Sequence, residues 1–221
     1  MLTTPLVIVN FKTYPQATGE RAVELAQICE KVSQKSGIQI AVAVQAADIF
    51  RVSNAVMIPV LAQHVDAVEP DRNTGKITAK SIKESGAVGT LLNHSEDRVD
   101  MKIIEAAISI ASKLDLQTVV CAENPGEVAK ISRLSTKPDF IAIEPPELIA
   151  GKVSISTAKP EVISDSLDVS SVPILAGAGV QDDKDVRIAM ELGAKGILLA
   201  SAITKSKNPE KDLMKLVEGF K

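Results

Sequence analysis

The chain contains no tryptophan, one tyrosine and four phenylalanines among 221 residues. Stacking of nucleobases or of a flavin ring needs aromatic faces, so chemistry that depends on such stacking has little to work with here. Cysteine is nearly missing too. Cys29 and Cys121 make neither a disulfide framework nor a metal-ligand spacing, which fits a reducing interior and argues against secretion. Positive charge is not in excess: with a net charge of −3 there is no basic stripe for a phosphate backbone or an acidic bilayer. Neither nucleic acid nor membrane is therefore an expected partner, and any anionic ligand should be small. No apolar run approaches the length of a membrane span, and Met1-Leu2-Thr3-Thr4-Pro5 lacks the charged start of a signal peptide. A cytoplasmic protein is expected.

What the chain does have is aliphatic side chains, enough at 45% hydrophobic content for one sizeable core. Eight runs of strand length recur along it: 6–9, 38–44, 57–61, 88–92, 118–121, 140–143, 172–176 and 197–200. Each is nearly continuous rather than alternating, which is how strands buried on both faces read, and parallel pairing follows. Between them apolar residues return at three- and four-residue spacings, as in Ala22, Leu25, Ala26, Cys29 and Val32, the signature of amphipathic helices. Further helices are predicted over 127–133, 160–167, 183–192 and 208–218, with brief ones after Gln45 and Lys76. Eight strand–helix units with no linker predict an α/β fold, a closed (β/α)8 barrel of one domain over residues 1–221. An open doubly wound sheet is the alternative.

In such a barrel the chemistry collects where the strands end. The sixth run, Phe140-Ile141-Ala142-Ile143, stops on Glu144 and is broken by Pro145-Pro146. Proline cannot continue a ladder and pushes its predecessor out of helix, so Glu144 is held at a strand tip. Taken alone it reads better as a surface carboxylate at a strand end. The first run ends Asn10-Phe11-Lys12, placing an amide and an ammonium two apart and so on one side of an extended chain, unless Lys12 is merely solvated. The fourth run ends Asn93-His94-Ser95-Glu96, with Ser95 expected to cap a helix. A helix start there would disfavour imidazolium and hold His94 neutral, as a hydrogen-bond donor; a structural histidine is the other reading. His64 has no comparable neighbours and reads as structural. The seventh and eighth runs end Gly177-Ala178-Gly179 and Ala200-Ser201-Ala202, small residues that let backbone amides approach a phosphate, or else make tight turns. Asp182 stands where a dinucleotide fingerprint needs its third glycine, so NAD is not expected.

Taken together, Asn10-Phe11-Lys12, His94-Ser95-Glu96, Ile143-Glu144-Pro145-Pro146, Gly177-Ala178-Gly179 and Leu199-Ala200-Ser201 resemble the triosephosphate isomerase family, in the compact form found in archaea. The likeness runs in order over the whole chain. It implies a TIM barrel that interconverts dihydroxyacetone phosphate and D-glyceraldehyde 3-phosphate in glycolysis and gluconeogenesis, with neither metal nor cofactor. It implies Glu144 as the base, His94 as neutral electrophile, and Asn10, Phe11 and Lys12 as substrate contacts, Lys12 and Asn10 also serving catalysis. Glu96 would order Lys12, or would be no more than an exposed glutamate. Backbone amides near Ile149 and Ala150, in a lid over 145–151, would meet the phosphate together with Gly179, Ala200 and Ser201. Thr74, in the long 63–79 connection, would reach into a neighbouring subunit of a homodimer or a pair of dimers. The chain departs from the family at Ala150-Gly151-Lys152, where Gly-Thr-Gly is usual, and at Asn93 and Asp97, neither expected to touch the chemistry. Two rivals stand beside this reading: another sugar-phosphate isomerase or epimerase, and a non-catalytic phosphate-binding barrel.

Overall fold

The computed structural model of the protein describes residues 1–148 and 154–221. Eight strands, β1 (Leu6–Asn10), β2 (Gln39–Val44), β3 (Val60–Ala62), β4 (Gly89–Leu92), β5 (Gln117–Ala122), β6 (Phe140–Ile143), β7 (Ile174–Ala176) and β8 (Gly196–Leu199), pair in parallel and in sequence order. The circle closes where β1 pairs with both β2 and β8. An open sheet is thereby excluded. Helices follow the strands: α1 (Glu20–Ser36), α2 (Ile49–Ser53), α3 (Ala79–Glu84), α4 (Met101–Ser112), α5 (Pro125–Ile131), α6 (Ile155–Ala158), α7 (Pro160–Val169), α8 (Asp183–Glu191), α9 (Ser201–Thr204) and α10 (Pro209–Val217). The two units expected to carry brief helices do so, in α2 and α3. Where a run of apolar residues begins outside its strand, as at Met57, that residue is 93% exposed, because pairing starts only after Pro59.

The near-continuous hydrophobicity of the strands has a direct cause. Alternate residues of each strand enter two different cores. Leu6, Ile8, Ala41, Ala43, Leu61, Leu91, Val119, Phe140, Ala142, Leu175 and Leu198 fill the barrel interior. Their neighbours, such as Val7, Val9, Val42, Val120, Ile141 and Ile143, pack outward against the helices. Carried two residues past the last inward side chain of β1, β3, β6, β7 and β8, the inner face reaches Asn10, Gln63, Glu144, Gly177 and Ala200 at the mouth of the barrel.

One local expectation fails. No helix begins at Ser95: residues 95 and 96 form a turn closed by Asp97 N–H donating to His94 C=O at 2.8 Å, and α4 starts at Met101 behind Asp100. Val99 N–H donates instead to Asn93 Oδ1 at 3.1 Å and Arg98 pairs with Glu127, so the helix forms only after Asp100. No helix among the described residues is long and apolar enough to cross a membrane.

Candidate active site

Glu144 continues the inward face of Phe140 and Ala142, so its side chain points over the barrel mouth. Its N–H is fixed by Ala122 C=O at 2.7 Å, and the two prolines behind it offer no donor that could prolong the strand. The residue is only 4% exposed. Burial is the main cause that raises its carboxyl from 4.5 to about 7, against the pull of the Cys121 thiol and the Lys12 ammonium. Among the described residues Oε2 finds no hydrogen-bond partner, an expensive state for a buried carboxylate unless a ligand supplies one.

His94 reaches the same place by a different backbone device. Asn93 adopts φ 59°, a left-handed conformation that asparagine tolerates better than most residues. This turns the chain so that His94, rather than its predecessor, faces inward. The Asn93 amide then secures the turn, donating to Cys121 C=O at 2.9 Å and accepting from Val99 N–H at 3.1 Å. Asn93 therefore shapes the site without touching its chemistry. Nδ1 of His94 accepts the Glu96 N–H at 3.2 Å, which leaves the ring proton on Nε2. Nε2 lies 3.7 Å from Glu144 Oε1. Burial, then the nearby Lys12 charge, lower the imidazole below its ordinary value, so it stays neutral. The downward shift comes from desolvation and a neighbouring cation, not from the helix start that the local pattern suggested.

Lys12 departs from the extended chain that its spacing from Asn10 suggested. It has φ 48°, a strained position for a side-chain-bearing residue, worth about 1–3 kcal/mol. The bend is held on both sides. Lys12 N–H donates to Asn10 Oδ1 at 3.0 Å, and Gln63 Nε2 donates to Lys12 C=O at 2.9 Å and to Asn10 Oδ1 at 3.2 Å. Gln63 is thus a positioning residue that the sequence reading passed over; its signal was its place two residues beyond the inward Leu61. Lys12 Nζ is paired with Glu96 Oε1 at 2.7 Å.

Asn10, Lys12, His94, Glu144, Gly177, Gly179, Ala200 and Ser201 line one cleft. Its far wall is the turn after β7 and the first turn of α9, where leading N–H groups have no partners within the helix. Gly179 has φ 69°, which suits a turn that offers backbone to a ligand. Gly177 is required for closeness: a Cβ there would sit 2.5 Å from Glu144 Cγ. The remaining candidates fall elsewhere. Phe11 is fully buried in the outer core and its N–H is taken by Ala43 C=O, so neither its ring nor its amide enters the cleft, in contrast to the expected substrate contact. Ser95 lies in the turn, its hydroxyl unpartnered among the described residues. Thr74 is exposed and takes no part in the cleft of its own chain. Ile149, Ala150 and the 150–152 hinge lie outside the described residues. No cluster of three or more His, Cys, Asp or Glu suited to a metal occurs among the described residues.

The family model for triosephosphate isomerase matches residues 5–219. The chain is 48% identical to the triosephosphate isomerase of Methanothermobacter thermautotrophicus over 97% of its own length and 95% of that protein. It is 45% identical to that of Methanosarcina acetivorans over 97% and 99%. A crystal structure of triosephosphate isomerase from Bartonella henselae superposes with a TM-score of 0.74 over 99% of both chains at 19% identity, a likeness of fold.

Proposed function

Because the chain belongs to the triosephosphate isomerase family, we propose that it interconverts dihydroxyacetone phosphate and D-glyceraldehyde 3-phosphate by proton transfer through an enediolate. In this reading Glu144 takes the proton from one substrate carbon and returns it to the next. His94, neutral and protonated on Nε2, donates to the carbonyl oxygen as negative charge grows there. Lys12 and Asn10 stabilise the same charge from the other side, and Gly179, Ala200 and Ser201 hold the phosphate through the backbone. A preplaced donor in a dry site stabilises an oxyanion better than water does, because it need not reorganise during the reaction.

The observation that carries the reading is the pairing of Glu144 Oε1 and His94 Nε2, 3.7 Å apart in one cleft, with the carboxyl raised to about 7 and the imidazole lowered. Those opposite shifts give a base strong enough to remove a proton beside a carbonyl and a donor that stays uncharged. Within this reading the protein is a one-domain cytoplasmic enzyme of glycolysis and gluconeogenesis. It assembles as a homodimer or a pair of dimers, with exposed Thr74 supporting Asn10 and Lys12 of the adjoining subunit.

The test is turnover of either triose phosphate by the wild-type chain and by Glu144→Asp. Shortening the arm by one methylene withdraws the carboxylate, and a drop in kcat of about 10²-fold or more is expected while inorganic phosphate still inhibits the residual activity competitively. An unchanged rate in the variant excludes Glu144 as the base. No turnover by the wild type, with phosphate still bound, would favour the non-catalytic barrel.

A further inference from the structure

Lys12 is the only cation among the described residues that line the cleft, and Glu96 sits 2.7 Å from its ammonium. Glu144 adds a second carboxylate to the same mouth once it ionises. A dianionic phosphate ester approaching this opening therefore meets a field that Lys12 alone does not turn attractive. A second ammonium stands beside a residue that lines the cleft: Lys205, which closes the short helix α9 and is itself exposed. Its Nζ stands 4.1 Å from the ring centroid of Tyr14, and Tyr14 lines the cleft together with Ala200, Ser201 and Ala202. An ammonium over a phenol ring is held by the ring's negative face, so a side chain that would otherwise sweep the solvent is kept at the rim. Tyr14 is also the chain's one tyrosine.

We propose that Lys205, seated on Tyr14, is the recruiting cation of the phosphate end of the cleft: it draws the dianionic substrate to the mouth without touching the reacting atoms, and Tyr14 is the positioning residue that keeps it there. The proposal rests on the isomerase reading for the identity of the anion and on the rim geometry for the role. Attraction of this kind acts on capture, so it appears in kcat/KM and in its dependence on salt, not in kcat.

The experiment measures kcat and kcat/KM from low to high ionic strength for wild type, Lys205→Met, Lys205→Glu, Tyr14→Phe and Tyr14→Leu. A unit charge roughly 10 Å from a dianion in water changes its local concentration about fourfold. Lys205→Met should lower kcat/KM by about that factor at low salt, and Lys205→Glu by about its square. Both deficits should shrink toward parity near 1 M salt, where the screening length is about 3 Å. Tyr14→Phe keeps the ring and should keep the wild-type salt slope, whereas Tyr14→Leu should flatten the slope as Lys205→Met does. In the double variant the two losses should not add. A salt slope of Lys205→Met equal to wild type, or a loss confined to kcat, overturns the proposal. Because Lys205 is exposed, its variants should fold normally, and calorimetry checks the Tyr14 variants. If the wild type turns over no triose phosphate, the isomerase reading fails separately, and calorimetric titration with inorganic phosphate tests Lys205 through the same salt series.

Discussion

Gly177→Ala isolates position from chemistry, since it alters no functional group yet aims one methyl at the carboxylate arm. The added Cβ would lie 2.5 Å from Glu144 Cγ, 3.1 Å from Ile143 C=O and 3.3 Å from Glu144 Cδ. Ordinary carbon–carbon contact is about 3.5–4.0 Å, so Cγ must retreat by roughly 1 Å. The dihedral of Gly177 itself adds no strain, because Gly177 is not among the glycines with positive φ. Misplacing a catalytic group by about 1 Å costs on the order of 10²-fold in rate. Overpacking a tight contact costs about 1–3 kcal/mol, which for a chain of this size lowers Tm by roughly 2–12 °C. The expected result is a kcat reduced about a hundredfold in a coupled turnover assay, with the inhibition constant of inorganic phosphate close to wild type and a folded protein by calorimetry. A variant that keeps kcat within about threefold would show that Glu144 need not lie where Gly177 admits it, and would refute the placement of the base.

Two further outcomes follow from the same site. The carboxyl of Glu144 is raised from 4.5 to about 7, so the folded state binds its proton more tightly than the unfolded chain; the associated stability is complete below about 4.5 and is lost as pH rises through about 7. Glu144→Gln should abolish turnover yet raise Tm at pH 8, recovering a burial cost of about 3 kcal/mol, with the gain vanishing near pH 4; an equal Tm difference at both pH values contradicts the assignment. For wild type the same titration makes kcat/KM fall as pH drops below about 7, since a protonated Glu144 cannot act as base. Thr74→Arg should convert an assembly of at least twice the 23.4 kDa chain mass into single chains with much reduced kcat, read by light scattering and turnover; a fully active wild-type monomer would remove Thr74 from the proposal.

The sequence by itself determined an α/β fold of parallel strands and the strand tips that line the cleft, whereas closure into a barrel rather than an open sheet was decided by β1 pairing with β8. Strands buried on both faces must be apolar throughout, and proline ends a ladder wherever it falls, so Glu144-Pro145-Pro146 marks a tip in any context. Asn10, Gln63, Glu144, Gly177 and Ala200 continue the inward period-two face of β1, β3, β6, β7 and β8, a pattern that reaches Gln63 from sequence but breaks at β4, where the turn at Asn93 brings His94 inward. Tertiary structure alone decided what lies across a gap. The left-handed turns at Lys12 and Asn93 are held by partners distant in the chain, the Gln63 side chain on Lys12 C=O and the backbone C=O of Cys121 on the Asn93 amide, which local sequence does not supply. The same holds for the cause of a neutral His94, which is burial beside Lys12 and not the helix start that the local pattern suggested. Charge state, contact distance and the seat of Lys205 on Tyr14 depend on residues far apart in the chain and close in space, and only folding brings those together.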